Sequence, residues 1–367
     1  MLVAESSAAV APECAYRAGD FLLTTPGGVL VADGPGAALD LPAARAALAR
    51  PDAVVVGALP FRPDVPARLM VPSAVHRRPP LTLSAAPAGG RWSVRHDGAA
   101  AYVEAVRRAL TSIAAGAVDK VVLARCLDLV ADDPVDVGRL VAALSARDPH
   151  GYTFATGAGG RTLVGTSPEL LVSRRGDRVT SNPLAGSRPR GTDPATDGRN
   201  ATQLLRSAKD RREHAMVVTA VADALAPLCR DLVVPADPEL LPTRSMWHLS
   251  TRVTGTVRDR DATALDLAVA LHPTPAVCGT PAAAARALIG ELEPFDRGCY
   301  TGAVGWTDHR GDGEWVVAIR CGEVDGTAVR LFAGAGVVAG SVPEAELAET
   351  TAKFATLLGA LGLEERQ

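Results

Sequence analysis

Acidic and basic side chains concentrate near the C-terminus in a spacing that could bind a charged ligand. Glu346, Glu349 and Lys353 recur at i, i+3 and i+7, which places all three on one side of an α-helix. Upstream of them lie Arg320 and the glycine-rich segment 334–340, which we predict to be a loop. Carboxylates, a lysine and an arginine together suit a small anionic ligand and a divalent cation.

A β-hairpin followed by a helix is predicted to position these residues. Two β-prone runs, 315–320 and 328–333, flank Asp325-Gly326, a pair typical of a two-residue hairpin turn whose positions need positive φ. Ser341, with Glu344 three residues later, predicts a capping box at the start of the helix.

Two side chains farther upstream could supply a base and an acid. Lys120 is predicted to share one face of a buried strand with Val122 and Ala124. Burial disfavours the charged ammonium, so such a lysine can act as a general base, although a lysine that reaches water from the strand end is the commoner case. Glu169 lies between Pro168 and an apolar run, which favours the protonated carboxyl of a general acid; a glutamate in a surface turn is the alternative.

A third acid lies on a long helix predicted between Thr202 and Leu228. Glu213 falls on the apolar stripe of this helix, where an unpaired charge is costly and a metal ion or a cationic partner would compensate. The adjacent His214 lies off the stripe and receives no ligand role, and the spacing is not the H-E-x-x-H of zinc proteases. Oxygen ligands from Glu213 and the C-terminal acids favour Mg²⁺ over Zn²⁺.

Several segments between these residues are predicted to line a pocket. Residues 181–191 form a glycine-containing basic loop suited to carboxylate binding through backbone N–H groups, with a merely flexible basic loop as the alternative. Residues 247–255 form a strand that carries His248, and 272–281, with three prolines, form a rigid irregular loop. Residues 297–306 form a glycine-broken strand.

The first 98 residues are predicted to be a strand-rich scaffold without any cluster of acids, bases or ligands. The predicted elements are strands at 21–25, 28–32, 53–59, 82–86 and 91–95, a helix at 41–49 and an exposed connection from Pro60 to Pro80.

Composition excludes several classes of function. The chain has 367 residues, of which 47% are hydrophobic and 22% charged, and no linker divides it, so we predict one domain over 1–367. A net charge of −3 argues against a nucleic-acid partner, and no apolar run is long enough to span a membrane. A signal peptide begins with a basic region, but no Lys or Arg precedes Arg17. The six scattered cysteines indicate reduced thiols. A cytoplasmic protein is therefore predicted, and we expect a monomer.

Taken together, the motifs resemble those of the chorismate-utilising enzymes, a family that contains isochorismate, salicylate, anthranilate and aminodeoxychorismate synthases. The resemblance covers residues 99–358 and implies an α/β (α+β) fold: one large domain of antiparallel sheets packed face to face, with helices outside. The motifs that carry it are K-V-V-L-A-R, G-T-S-P-E-L-L, P-L-A-G-S, R-E-H-A-M-V-V, H-L-S-T, H-P-T-P-A-V-C-G-T-P, R-G-C-Y-T-G-A-V-G-W, A-I-R-C, A-G-A-G-V-V and E-x-x-E-T-x-x-K.

The resemblance also implies roles for individual residues. Glu213 and Glu349 would bind Mg²⁺, with Glu346 nearby. Lys120 would be the general base that activates water for attack at ring C2 of chorismate, and Glu169 the general acid that protonates the departing C4 hydroxyl. The substrate site implied by the resemblance contains Gly186, Ser187, His248, Ala276, Val277, Tyr300, Arg320, Gly334 and Lys353.

Two positions discriminate between members of the family. Ammonia-using members have a glutamine in place of Lys120, so the lysine indicates water as the nucleophile. Salicylate synthases tend to have a hydroxyl residue in place of Val277 and go on to eliminate pyruvate. The prediction is therefore an isochorismate synthase of the siderophore or menaquinone type, with salicylate synthase as the alternative.

A remote alternative takes G-A-G-V-V-A at 334–339 as the G-x-G-x-x-A fingerprint of a dinucleotide-dependent oxidoreductase. That motif needs a βαβ unit with an acid on the next strand, and the chain ends after one helix. We therefore give the oxidoreductase little weight.

Overall fold

The computed structural model describes residues 16–34, 36–79 and 90–363. The predicted strand at 82–86 and one cysteine, Cys14, lie outside these ranges. The strands are β1 (Phe21–Thr25), β2 (Gly28–Ala32), β3 (Ala38–Leu39), β4 (Val54–Leu59), β5 (Arg68–Met70), β6 (Val75–Arg78), β7 (Trp92–Asp97), β8 (Lys120–Ala131), β9 (Tyr152–Ala158), β10 (Arg161–Ser167), β11 (Leu170–Arg175), β12 (Arg178–Asn182), β13 (Leu184–Pro189), β14 (Cys229–Val233), β15 (Glu239–Pro242), β16 (Met246–Ser250), β17 (Val253–Val257), β18 (Gly279–Thr280), β19 (Ala303–Asp308), β20 (Gly313–Val317), β21 (Cys321–Asp325) and β22 (Ala328–Val338). The helices are α1 (Leu41–Leu48), α2 (Ala99–Ala114), α3 (Val137–Arg147), α4 (Pro194–Arg206), α5 (Ala208–Leu225), α6 (Ala264–Leu271), α7 (Ala282–Leu292) and α8 (Pro343–Leu361).

The strands form two large antiparallel sheets and one small one. The first sheet runs β18-β8-β22-β21-β10-β9-β1-β2-β6, with β7 also paired to β8. The second runs β14-β17-β12-β11-β20-β19-β4-β5-β3, and the small sheet is β13-β16-β15. The longest pairing joins β22 to β8 and places Val338 opposite Lys120, so the register of this pair fixes where the lysine lies.

The two large sheets pack face to face through an apolar layer. Phe154 and Leu163 of the first sheet share one buried cluster with Val56, Trp306 and Val316 of the second. This arrangement confirms the predicted sheet-on-sheet fold.

Helices cover the outer faces of both sheets, as predicted. On the second sheet, Val221 of α5 and Leu265 of α6 share a buried cluster with Val179 and Trp315. On the first sheet, side chains from α3 and α8 pack against Leu331 of β22. The cavity described below therefore lies among elements whose positions are fixed by buried apolar surface.

The N-terminal part matches the prediction closely. Strands β1, β2 and β4, helix α1 and strand β7 form where the sequence pattern placed them. The connection from Pro60 to Pro80 is not wholly irregular, because β5 and β6 form within it. The five described cysteines are free and buried, and no helix of the described residues is long and apolar enough to cross a membrane.

The C-terminal hairpin forms, but its details differ from the prediction. Asp325 pairs with Ala328, so the turn consists of Gly326 and Thr327, and of these two only Gly326 has positive φ, at 59°. The run 315–320 is not the first strand of the hairpin, because β20 ends at Val317 and β21 begins at Cys321.

The glycine-rich segment after this hairpin is a strand and not the predicted loop. β22 continues through it to Val338 because β8 supplies hydrogen-bond partners along its whole length. The predicted capping box is also wrong. Helix α8 begins at Pro343 after Val342, and the Ser341 hydroxyl instead accepts a hydrogen bond from the Val338 N–H at 3.2 Å.

Four further predictions of local structure are corrected. The single helix predicted between 202 and 228 is two helices, because Ser207 is extended (φ −69°, ψ 112°) and its hydroxyl caps α5 by accepting from the Asp210 N–H. The basic loop at 181–191 contains strand β13, with a bulge between Ala185 and Ser187. Residues 247–255 divide between β16 and β17, and 297–306 become a strand only from Ala303.

Candidate active site

One cavity brings together side chains that are far apart in the sequence. It contains roughly 830 Å³ of empty space, including the part open to solvent. The predicted site residues that line it are Glu169, Gly186, Ser187, Glu213, His248, Ala276, Val277, Tyr300, Arg320, Gly334, Glu346, Glu349 and Lys353. Their convergence is a property of the fold, whereas their roles stay predictions.

Lys120 is the predicted site residue that does not line the cavity directly. Its side chain is completely buried, so the alternative of a lysine that reaches water is wrong. Its Nζ lies 2.9 Å from Oε1 of Glu213, and within the described part of the chain it has no hydrogen-bond partner of good geometry. Gly336 makes room for this pair, since a Cβ there would lie 2.5 Å from the Glu213 carboxylate and 3.1 Å from the Lys120 chain. The lysine therefore contacts Glu213 on the side away from the cavity.

Glu169 is an acid held in its neutral form. It is 3% exposed, which excludes the surface-turn alternative. Burial raises its pKa to about 8, although a hydrogen bond from the Leu184 N–H (3.3 Å) and the positive charges of Lys120 and Lys353 oppose the rise. At neutral pH the carboxyl therefore carries a proton that it can donate.

Glu349 of α8 is held ionised by its neighbours. Burial raises its pKa, but the ammonium of Lys353 at 2.7 Å and the hydroxyl of Ser187 at 2.8 Å outweigh burial and bring the pKa below its usual value. Lys353 also donates to the Gly334 carbonyl at 2.7 Å. Helix α8 is thereby tied to both β13 and β22 at the cavity.

Glu346 pairs with a lysine that the sequence interpretation missed. Lys209 of α5 lines the cavity, and its Nζ lies 3.2 Å from Oε1 of Glu346. Burial and the nearby charge of Glu349 raise the pKa of Glu346. A signal was available, because Lys209 and Glu213 are four residues apart and so share one face of α5.

The donor chemistry of this wall fits a divalent cation with oxygen ligands. Glu213, Glu346 and Glu349 line the same cavity, and carboxylates are the side chains that Mg²⁺ prefers. Each of these three carboxylates lies beside a lysine. Among the described residues, no group of three His, Cys, Asp or Glu side chains is close enough together to hold a metal ion. The lysines neutralise the acids, so metal binding requires some of these ion pairs to open.

Arg320 supplies a positive charge to the cavity and lies beside a neutral histidine, His248. Arg320 has φ of 51°, uncommon for a residue with a side chain, and its buried guanidinium Nη2 lies 3.3 Å from Nε2 of His248. Arginine can only donate, so Nε2 accepts and the imidazole is neutral. Burial, with the charges of Arg320 and Lys353, holds the pKa of His248 well below its usual value. Burial lowers the pKa of Arg320 only to about 10, so it stays charged at neutral pH.

Most of the further lining residues lie within the recognised motifs. Tyr300 stacks on Phe332 with ring centroids 4.8 Å apart, which gives the cavity one flat apolar wall. His214 does not line the cavity, but the prediction that it lies off the apolar stripe is wrong. It is buried on the same face of α5 as Val218 and Val221, and its Nε2 lies 2.7 Å from the Thr251 hydroxyl. Other lining residues without a predicted role are Val122, Asp210, Thr301, Ile319, Ala333, Ala335 and Gly336.

Comparison with known proteins decides the family. The family model described as chorismate binding enzyme matches residues 84–362. The chain belongs to this family. The first five residues of the run G-A-G-V-V-A lie in β22, antiparallel to β8, so the run does not form the strand-to-helix turn that a dinucleotide fingerprint requires.

Chorismate-binding enzymes similar to this chain include named isochorismate synthases. Isochorismate synthase DhbC of Bacillus subtilis strain 168 is 50% identical over 327 residues, which cover 85% of this chain and 81% of that protein. Isochorismate synthase EntC of Escherichia coli K12 is 41% identical over 322 residues, covering 84% and 81%. The structure of MenF, the menaquinone-specific isochorismate synthase of Escherichia coli, superposes with a TM-score of 0.81 at 26% identity, covering 95% of this chain and 92% of that one.

Proposed function

We propose that this chorismate-binding enzyme is an isochorismate synthase that uses Mg²⁺. Two observations carry the proposal: the fully buried Lys120 lies against Glu213 of the cavity wall, and burial raises the pKa of Glu169, which lines the same cavity, to about 8. Lys120 and Glu169 are the residues expected to serve as base and acid, and the relatives named isochorismate synthases support the same product.

The reaction exchanges one hydroxyl for another, so a base and an acid suffice. Lys120 takes a proton from a water whose oxygen bonds to ring C2. Both ring double bonds shift, from C1=C2 and C5=C6 to C1=C6 and C4=C5. The C4–O bond breaks, and Glu169 donates its proton so that the C4 oxygen leaves as water. One water enters and one leaves, which makes the overall reaction an isomerisation.

The remaining side chains of the cavity hold the substrate in this orientation. Arg320 can grip a carboxylate with two parallel hydrogen bonds, and neutral His248 beside it adds no competing charge. Glu213, Glu346 and Glu349 would hold Mg²⁺, which when bound supplies positive charge for the second carboxylate. The Nζ of Lys120 lies 2.9 Å from Oε1 of Glu213, so a cation held by Glu213 would compete with this ion pair.

A product assay tests this proposal. The purified protein is incubated with chorismate in Mg²⁺ buffer and, in parallel, with excess EDTA, and the products are separated by chromatography. We expect isochorismate with Mg²⁺ and unchanged chorismate with EDTA. Accumulation of salicylate and pyruvate without an added lyase would make the protein a salicylate synthase, and unchanged chorismate in both samples would reject the proposal. The pathway that uses the product, the cytoplasmic location and the monomeric state stay predictions.

A further inference from the structure

A buried arginine outside the cavity connects the elements that form its walls. Arg297 is 3% exposed and does not line the cavity. Its Nη1 donates to the Val277 carbonyl at 2.9 Å, and its Nη2 donates to the Val122 carbonyl at 2.7 Å. Val277 belongs to the loop at 272–281 and Val122 to β8, and both residues line the cavity.

Every N–H donor of this guanidinium has an acceptor. Nε donates to Oε2 of Glu293 at 2.8 Å, the second Nη2 hydrogen is directed at Oε1 of the same carboxylate, and Nη1 also donates to the Thr301 hydroxyl at 3.2 Å. A guanidinium has five such donors. Because all of them are engaged inside the protein, Arg297 has none left for a ligand and acts only through the groups that it holds.

Glu293 completes the connection to the strand that carries the predicted base. Its Oε1 accepts from the Ala124 N–H of β8 at 2.8 Å. The guanidinium also lies over the Phe61 ring, 4.4 Å from the centroid. The ion pair is almost completely buried, with both side chains 2% exposed, so its geometry is fixed by packing on all sides.

The third group that Arg297 holds has a strained backbone. Thr301 has φ of 60°, a genuine outlier for a β-branched residue. Its hydroxyl accepts from Arg297 and donates to the Tyr300 carbonyl, which fixes the residue next to the aromatic wall of the cavity. Such strain persists only where the surroundings over-determine the conformation, and the hydrogen bond from Arg297 is part of those surroundings.

We infer that Arg297, held by Glu293, is a positioning residue that sets the distances between three walls of the substrate cavity. These walls are β8 at Val122, the 272–281 loop at Val277, and the turn at Thr301. Lysine cannot replace it, because one ammonium on a flexible chain does not reproduce a planar fork bound to both carbonyls and the carboxylate. Of the two measurements that test this inference, the one of chorismate turnover rests on the proposed function, and the one of hydrogen exchange does not.

The test compares Arg297→Met with a matched control, Arg174→Met. Arg174 is also buried (4% exposed) and donates to two carbonyls, those of Gly176 at 2.9 Å and Ala262 at 2.6 Å, but it does not line the cavity or contact its walls. Both variants lose a buried guanidinium that holds carbonyl groups. Both should therefore lower Tm, and only Arg297→Met should alter the cavity.

Two readouts are taken well below the Tm of each variant. Because a misplacement of 1 Å can cost about 10²-fold in rate, kcat/KM for chorismate should fall about 100-fold in Arg297→Met through both kcat and KM, and by less than about threefold in Arg174→Met. Arg297→Lys should give an intermediate value. Hydrogen exchange should rise in peptides covering 272–281 and 297–303 in Arg297→Met and stay at the wild-type level there in Arg174→Met.

Each outcome decides the inference. Equal losses of kcat/KM in the two methionine variants, or exchange that rises evenly along the chain in Arg297→Met, would reduce Arg297 to general structural support. If the wild-type protein does not convert chorismate, the proposed function fails, and the exchange pattern still decides the positioning role. If Arg297→Met does not fold, Arg297→Lys and Glu293→Gln carry the same two comparisons.

Discussion

Replacement of Glu169 by glutamine should remove activity and stabilise the protein at the same time. The amide has the shape of the protonated carboxyl and can still accept from the Leu184 N–H, but it has no proton to give. General acid–base catalysis contributes about 10² to 10⁴-fold, so kcat should fall by that factor. In the wild-type enzyme kcat/KM should fall as the pH rises through about 8, where Glu169 loses its proton.

The stability effect follows from the same pKa with its sign worked out. The folded protein keeps the Glu169 proton up to about pH 8, whereas an unfolded glutamate loses its proton near pH 4.3. The folded state binds more protons between these values, so the stability that this group contributes is fully present below about pH 4.3 and is lost as the pH rises to about 8. Between pH 5 and pH 8 the wild-type protein should therefore lose about 3 to 4 kcal/mol relative to Glu169→Gln.

Urea unfolding of both proteins at pH 5, 6.5 and 8 measures this difference. Glu314→Gln serves as the control, because Glu314 is also a buried acid with a pKa raised by burial, but it pairs with Arg175 at 3.2 Å and lies outside the cavity. That variant should keep kcat within about threefold of wild type, since neither Glu314 nor its partner Arg175 lines the cavity. A stability difference between wild type and Glu169→Gln that is constant with pH would show that Glu169 is already ionised in the folded protein and would refute its role as an acid.

Three more substitutions test the other groups of the cavity. Lys120→Ala should abolish water addition while Mg²⁺-dependent chorismate binding stays measurable by calorimetry; unchanged turnover would reject the base. Glu349→Gln should raise the Mg²⁺ concentration needed for half-maximal rate, and an unaltered Mg²⁺ titration would remove Glu349 from the metal site. Arg320→Lys loses the bidentate grip on a carboxylate, so KM for chorismate should rise about 10- to 100-fold, and an unchanged KM would assign the carboxylate to another group.

The sequence predicted correctly which side chains of β8 share a face. The pattern placed Lys120 and Val122 on one face of β8 and Val121 on the other, and the structure places Val122 at the cavity and Val121 in the cluster beneath α2. Local pattern could not decide whether Lys120 reaches water. That depended on Gly336 and Glu213, which approach the lysine from distant parts of the chain.

The mistaken predictions have a common physical cause. Glycines in 334–340 favour a loop locally, but pairing of β22 with β8 as far as Val338 keeps Gly334 and Gly336 in a strand. Serine is a residue type that commonly caps a helix N-terminus, yet the hydroxyl of Ser341 accepts a hydrogen bond from the Val338 N–H instead. The positive φ of Thr301 likewise leaves no mark in a sequence pattern, because the conformation depends on a hydrogen bond from Arg297. In each case a partner from outside the local segment decided the conformation.

The charges around the cavity explain why an acidic wall and a dianionic substrate can coexist. Glu213, Glu346 and Glu349 each face a lysine. Glu169 and His248 are neutral, and the remaining charged lining residues, Arg320 and Asp210, add one positive and one negative charge to the total. The cavity is therefore close to neutral before anything binds.

A dianion that binds alone adds two uncompensated negative charges to this cavity. Mg²⁺ that binds alone must separate ion pairs without bringing a new counter-charge. When the two bind together, they add no net charge. Chorismate and Mg²⁺ should accordingly bind with mutual dependence, each tightening the binding of the other by the same factor, and calorimetric titrations of one in the absence and presence of the other measure that factor. Equal affinities in the two titrations would mean that the lysines, and not the incoming pair, keep neutralising the acids during catalysis.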